Sequence, residues 1–102
     1  MLTAYALRNA EIGYCQSMNF IAALLLIVLE HDEEQAFWML SVIEERIVPD
    51  YHGPGILGCQ ADTRSFMDYI ENFLPAIGAK LVDFNIIPDV AFISWFMTLF
   101  TT

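Results

Sequence analysis

Residues Phe20 to Leu29 form an unbroken apolar run of ten, and no other feature limits the fold as strongly. A membrane span needs about twenty such residues. A run of half that length reads as a core helix. This one ends in Glu30, His31, Asp32, Glu33 and Glu34. Between Ser17 and Glu30 the chain is apolar on nearly every side. The helix is therefore expected to be buried all round, at the centre of something larger than itself.

The rest of the chain reads as helices punctuated by turn chemistry. Leu2 to Asn9 carries a helical apolar spacing in Leu2, Tyr5, Ala6 and Leu7. Ala10 to Cys15 is a loop containing Gly13. Asp32 followed by Gln35 resembles a capping box and starts a third helix reaching about Ile47. Its expected inner face is Phe37, Leu40, Val42, Ile43 and Ile47, with Glu44, Glu45 and Arg46 in solvent. Val48 to Ile56 holds Pro49, Asp50, Gly53, Pro54 and Gly55 and reads as a loop that Asp50 and Tyr51 order. Leu57 to Leu74 is a fourth helix with Phe66, Tyr69, Ile70, Phe73 and Leu74 at three-four spacing. Ala76 to Phe84 is a short fifth. Pro88 and Asp89 open a sixth that runs to Phe100. No stretch alternates with period two, so the fold class is all-α. Both ends read as cut, and the chain is expected to be a fragment or to complete its core by self-association.

Composition removes several functions. The 102 residues carry 4 Lys plus Arg against 13 Asp plus Glu, a net charge of −9. That balance repels phosphate backbones and anionic lipid, so neither nucleic acid nor direct membrane insertion is expected. Cys15 and Cys59 lack CxxC spacing and read as two reduced thiols in a cytosolic protein. No basic n-region precedes an apolar stretch at the N-terminus. There is no HExxH, no ExxH pair and no GxxxxGK loop, so no metal and no cofactor is expected. His31 and His52 read as solvated imidazoles.

One short segment stands apart. In Ile12-Gly13-Tyr14-Cys15-Gln16-Ser17-Met18-Asn19 a glycine-containing loop runs straight into the apolar helix. Gln16 lies at or just before the first turn. Its amide offers one acceptor and two donors on a short tether. Held by the helix behind it, such a group can orient a water or a carbonyl on a partner. It can equally cap the helix, with Asn19 satisfying loop carbonyls, and the residues by themselves favour that plainer role.

The stretch Arg8-Asn9-Ala10-Glu11-Ile12-Gly13-Tyr14-Cys15-Gln16-Ser17-Met18-Asn19 resembles the second signature motif of TBC domains, the helical domains that activate Rab-family GTPases. Glu33-Glu34-Gln35-Ala36-Phe37-Trp38 and Pro49-Asp50-Tyr51 resemble the same family. Ser94-Trp95-Phe96-Met97-Thr98-Leu99-Phe100 resembles its third signature motif. The four matches occur in family order across almost the whole chain. The resemblance implies a partial TBC domain over residues 1–102 and a GTP-bound Rab as partner. It places the protein in the cytoplasm, peripheral at endomembranes through that Rab. It also implies a mechanism in which an arginine from the first motif and a glutamine from the second enter the partner's active site. Gln16 matches the glutamine, and Tyr14, Cys15, Ser17 and Asn19 match the surface around it. Trp38, Trp95 and Phe96 match structural positions, with Trp95 and Phe96 expected near the Gln16 helix. Arg8 and Asn9 are expected to brace the loop.

Two departures from the family pattern bear on activity. Ser17 stands where the family usually has glycine, either restricting the loop or serving as a helix cap. The first motif, Ile-x-x-Asp-x-x-Arg, does not occur, and Arg8, Arg46 and Arg64 lie in other contexts. An arginine finger contributes roughly 10³ to 10⁵ in rate, about 4 to 7 kcal/mol. These 102 residues alone are therefore expected to have little activating power. The competing expectation is a non-catalytic helical module that binds a Rab or another protein.

Overall fold

Every residue from Met1 to Thr102 is described by the computed structural model. Six helices follow in order: α1 (Leu2–Arg8), α2 (Met18–Val28), α3 (Glu33–Val42), α4 (Leu57–Phe73), α5 (Pro75–Asp83) and α6 (Pro88–Met97). A π-helical segment, Ile43–Ile47, continues α3. There is no strand, and the all-α expectation holds.

Local chemistry explains the starts of the helices. At α3 the Asp32 carboxylate accepts the Gln35 backbone N–H at 3.0 Å and the Gln35 side-chain amide at 2.8 Å. The same two bonds, backbone first, hold the Asp32 carboxyl below its usual range. Prolines sit in the first turns of α5 and α6, where their missing N–H has no helical partner to lose. The π segment closes with the Val48 N–H donating to the Ile43 carbonyl at 2.9 Å, five residues back.

Two groups of helices result. In the first, Tyr5 of α1, Met18 and Ile21 of α2 and Leu40 of α3 form a buried cluster, with Ile12, Cys15, Phe37, Ile43 and Leu99 packed against it. Each of the four buried side chains contributes about 1.5–3 kcal/mol by leaving water. In the second group α4 packs on α6 and α5 packs on α4. Phe66 meets Phe92 at 5.3 Å and Phe96 at 5.6 Å between ring centroids, both edge-on. The groups join through the 48–56 loop and the turn after α6, where Leu99 reaches the first cluster.

The molecule is open for its length. Sixteen of 102 residues are buried. The radius of gyration is 15.7 Å, against about 13 Å for a close-packed domain of that size. The expectation for α2 is corrected accordingly. Its buried residues are Met18, Ile21 and Ala22, while Phe20, Leu24, Ile27 and Val28 form a bare stripe along the opposite side. Ile27 and Val28, at its end, are about two-thirds exposed.

Other expectations change for identifiable reasons. Trp38 and Trp95, expected at structural positions, are about half-exposed (52% and 44%). Trp38 stands edge-on to Phe37 and lies under the Arg8 guanidinium, 5.4 Å from the ring centre. Trp95 and Phe96 join Phe66, Phe92 and Phe100 rather than α2. Tyr69 and Phe73 stack on each other in solvent, and Val42, Ile47 and Leu74 are also exposed. Helix α6 stops at Met97, short of Phe100, because Leu99 and Phe100 take positive φ and Thr98 Oγ1 donates back to the Ser94 carbonyl. No helix is long and apolar enough to cross a membrane.

Candidate functional site: the Gln16 loop

The loop between α1 and α2 is tied at both ends. On the α1 side the Asn9 carbonyl accepts the Gly13 N–H at 2.8 Å, and Asn9 Oδ1 accepts the Ile12 N–H at 3.3 Å. Arg8 and Asn9 both donate to Glu45 Oε1, at 2.6 and 3.3 Å. The expected bracing role of these two residues is met in the geometry. Gly13 turns the chain with φ +61°, a conformation that favours glycine.

On the α2 side Met18 is fully buried beneath the loop. The Met18 N–H donates to the Cys15 carbonyl at 3.3 Å, and the Cys15 N–H points at Met18 Sδ at 3.3 Å. Between these anchors Tyr14 and Gln16 are exposed and Cys15 and Ser17 half-buried, with Asn19 exposed on the first turn of α2. The Gln16 amide takes part in none of the chain's side-chain hydrogen bonds with Asn9, Cys15 or Met18 that fix the loop. Gln16 is exposed and its amide does not cap the helix.

Ser17 does not cap α2 either, since its hydroxyl makes no capping bond. Its φ of 92° lies in the left-handed region, which disfavours any residue with a Cβ. A glycine, which the sequence resemblance led us to expect here, would take this backbone without that cost.

Chemistry at the loop is polar but not nucleophilic. Burial, then the charge of Glu44, pushes the Cys15 thiol up from its ordinary value. A raised thiol is less often the thiolate, which is the nucleophilic and metal-binding form. Behind the loop lies a cavity of about 210 Å³ whose lining includes Asn9, Glu11, Glu44, Glu45 and Asp50. Its acid groups do not converge as a metal cluster.

Two residues escaped the sequence reading. Glu44 and His52, both expected in solvent, are 1% and 2% exposed. His52 Nδ1 meets Glu44 Oε2 at 2.8 Å and Nε2 meets the Met97 carbonyl at 2.6 Å. Glu44 Oε1 has no partner. A signal for Glu44 existed: it falls four residues after buried Leu40 and eight after buried Ala36, on the inner stripe of the helix. Tyr51 is also buried, its hydroxyl donating to Asp62, and Gly58 donates to the Asp50 carbonyl at 3.2 Å. The loop-ordering role expected of Asp50 and Tyr51 is met.

Comparison with known proteins completes the picture. The profile of the Rab-GTPase-TBC domain family matches residues 1–102. Growth hormone-regulated TBC protein 1 from Rattus norvegicus is 37% identical to the chain over 100 residues. The proteins of that name from Homo sapiens and Xenopus laevis are 37% identical over the same length. Each alignment covers 98% of this chain, and 34%, 30% and 29% of the rat, human and frog proteins. The chain thus spans about a third of the length of these curated relatives. No solved structure matches it. An all-helical architecture and a family match reaching from the first residue to the last establish that this chain belongs to the Rab-GTPase-TBC domain family.

Proposed function

We propose that the chain is the middle part of a GTPase-activating domain for Rab-family GTPases and that Gln16 is its glutamine finger. The observation that carries this reading is the exposed, unengaged amide of Gln16 on a loop pinned by buried Met18 and by Asn9. Hydrolysis of GTP is mostly positioning and charge stabilisation. An amide held this way in the partner's nucleotide site orients the attacking water. Tyr14, Cys15, Ser17 and Asn19 border the contact. The nucleotide belongs to the GTP-bound Rab, so the chain is an activator rather than an enzyme, working on the cytoplasmic face of endomembranes through that Rab. The charge-neutralising arginine comes from outside these 102 residues, and alone they activate weakly.

The test is GTP hydrolysis by a panel of Rabs with the full-length protein. Gln16→Ala is expected to lower stimulation roughly a hundredfold while Rab binding persists. An unchanged rate removes Gln16 from the mechanism. Binding of Rab-GTP by the unmodified protein without any acceleration would favour the non-catalytic binding module.

A further inference from the structure

The π segment carries two neighbouring acids that hold different parts of the chain. Glu45 grips Arg8 and Asn9, and Asn9 in turn holds the Ile12 and Gly13 amides of the Gln16 loop. Glu44 grips His52, whose other nitrogen holds the Met97 carbonyl at the end of α6. We infer that Glu44 and His52 are positioning residues: they form a latch closed by one shared proton, and its loss shifts the π segment and with it the Gln16 loop. This inference deepens the proposed function and rests on it only where activity is the readout.

Proton counting supports the latch. A carbonyl oxygen only accepts, so the 2.6 Å contact to Met97 requires a hydrogen on Nε2. The 2.8 Å contact from Nδ1 to Glu44 Oε2 requires a second proton between those atoms. An imidazole and a carboxylate separated in water above about pH 7 hold only the first. When the second proton leaves to solvent base, a nitrogen lone pair faces a carboxylate and neither has water around it. Such a pair separates. Glu44 has somewhere to go, because it borders the cavity of about 210 Å³ behind the loop. Glu45, one residue on, moves with it.

The proton at issue is the one that His52 and Glu44 share. Tyr5 of α1 and Cys15 of the loop feel the charge of Glu44, Tyr51 stands beside the His52 ring, and the nearby Arg8 and Glu45 are paired with each other. Burial, then the charges of Glu45 and Glu44, pushes the Tyr5 hydroxyl up to about 12. Tyr51 and Cys15 are raised as well, each chiefly by burial. Burial opposes the charge on His52, but the Glu44 hydrogen bond and charge and the Met97 carbonyl outweigh it and raise that group.

The experiment is a pH titration of the full-length protein by NMR, following histidine ring signals and the backbone amides of Gly13, Tyr14 and Gln16. His52 is assigned as the ring signal missing from His52→Gln. The expected result is a His52 midpoint above the ordinary 6.5 or so, with the three amides moving at the same midpoint. A midpoint at or below the ordinary value overturns the latch. A raised midpoint with motionless loop amides overturns the positioning role. In the hydrolysis assay, kcat is expected to fall roughly tenfold to a hundredfold across that midpoint, with KM nearly constant. Glu44→Gln is expected to move the fall to lower pH. A flat kcat across a raised His52 midpoint also overturns the positioning role. If Gln16→Ala is as active as the parent, the finger fails while the two NMR outcomes still decide the latch.

Discussion

Replacing Ser17 by glycine is expected to stabilise the protein. The residue sits at φ 92° and ψ −25° ahead of α2. For a residue with a Cβ, left-handed backbone costs roughly 1–2 kcal/mol. The serine hydroxyl makes no capping bond, so its removal forfeits no hydrogen bond. Glycine gains freedom in the unfolded chain, which takes back about 0.4–1 kcal/mol. The difference spans about 0–1.6 kcal/mol and centres on a net gain of about 0.8 kcal/mol, which at a slope near 1–3 kcal/mol per molar urea moves the midpoint up by roughly 0.3–0.8 M. The assay is equilibrium unfolding in urea of the full-length protein, read by tryptophan fluorescence. Ser17→Ala is the control: it keeps the Cβ and loses only the hydroxyl, so a change within about 0.5 kcal/mol is expected. A lowered midpoint for Ser17→Gly refutes the strain argument. A loss in Ser17→Ala of about 1 kcal/mol, the worth of a helix cap, shows that the hydroxyl caps α2 after all.

Three further outcomes follow from the packing. Gly58→Ala places a Cβ 2.6 Å from the Pro49 carbonyl oxygen and is expected to cost about 1–3 kcal/mol; Gly53→Ala, with open space around it, is expected to stay within about 0.5 kcal/mol, both by urea midpoint. Met18→Ala empties the fully buried site under the Gln16 loop and is expected to cost about 2–5 kcal/mol, measured the same way. His52 is raised in the folded protein, burial notwithstanding, by Glu44 and Met97. Its contribution to stability is therefore complete below the ordinary imidazole value near 6.5 and fades as pH climbs through the folded value, at about 1.4 kcal/mol per pH unit between the two. Urea midpoints measured across that range are expected to fall in the parent and to lose this slope in His52→Gln.

Sequence spacing located the helices because their punctuation is local. Asp32 with Gln35, the Pro75 and Pro88 starts and the Gly13 turn each act within a few residues, and the observed ends of α2 lie within two residues of those expected. What spacing missed depends on distant partners. Glu44 meets His52 eight residues away across a loop, and Met97 lies forty-five residues beyond His52. Spacing puts Glu44 on the inner stripe of its helix, but no local pattern names the partner it meets there. The bare stripe of α2 is the opposite error, since apolar character states that cover is wanted but not where it comes from. At the Gln16 loop the family resemblance carried more than the residues did. They allowed a capping role that the free amide does not play, while the glycine expected in place of Ser17 marked the left-handed turn that the backbone takes.

The narrow join between the two helix groups has a mechanical consequence. The α1–α3 group and the α4–α6 group meet through a loop and a terminal turn rather than broadly along helix faces. Such a body parts at its seam before either side melts. Amide exchange should then resolve two blocks with separate opening energies, both lying below the cooperative unfolding that a urea midpoint reports.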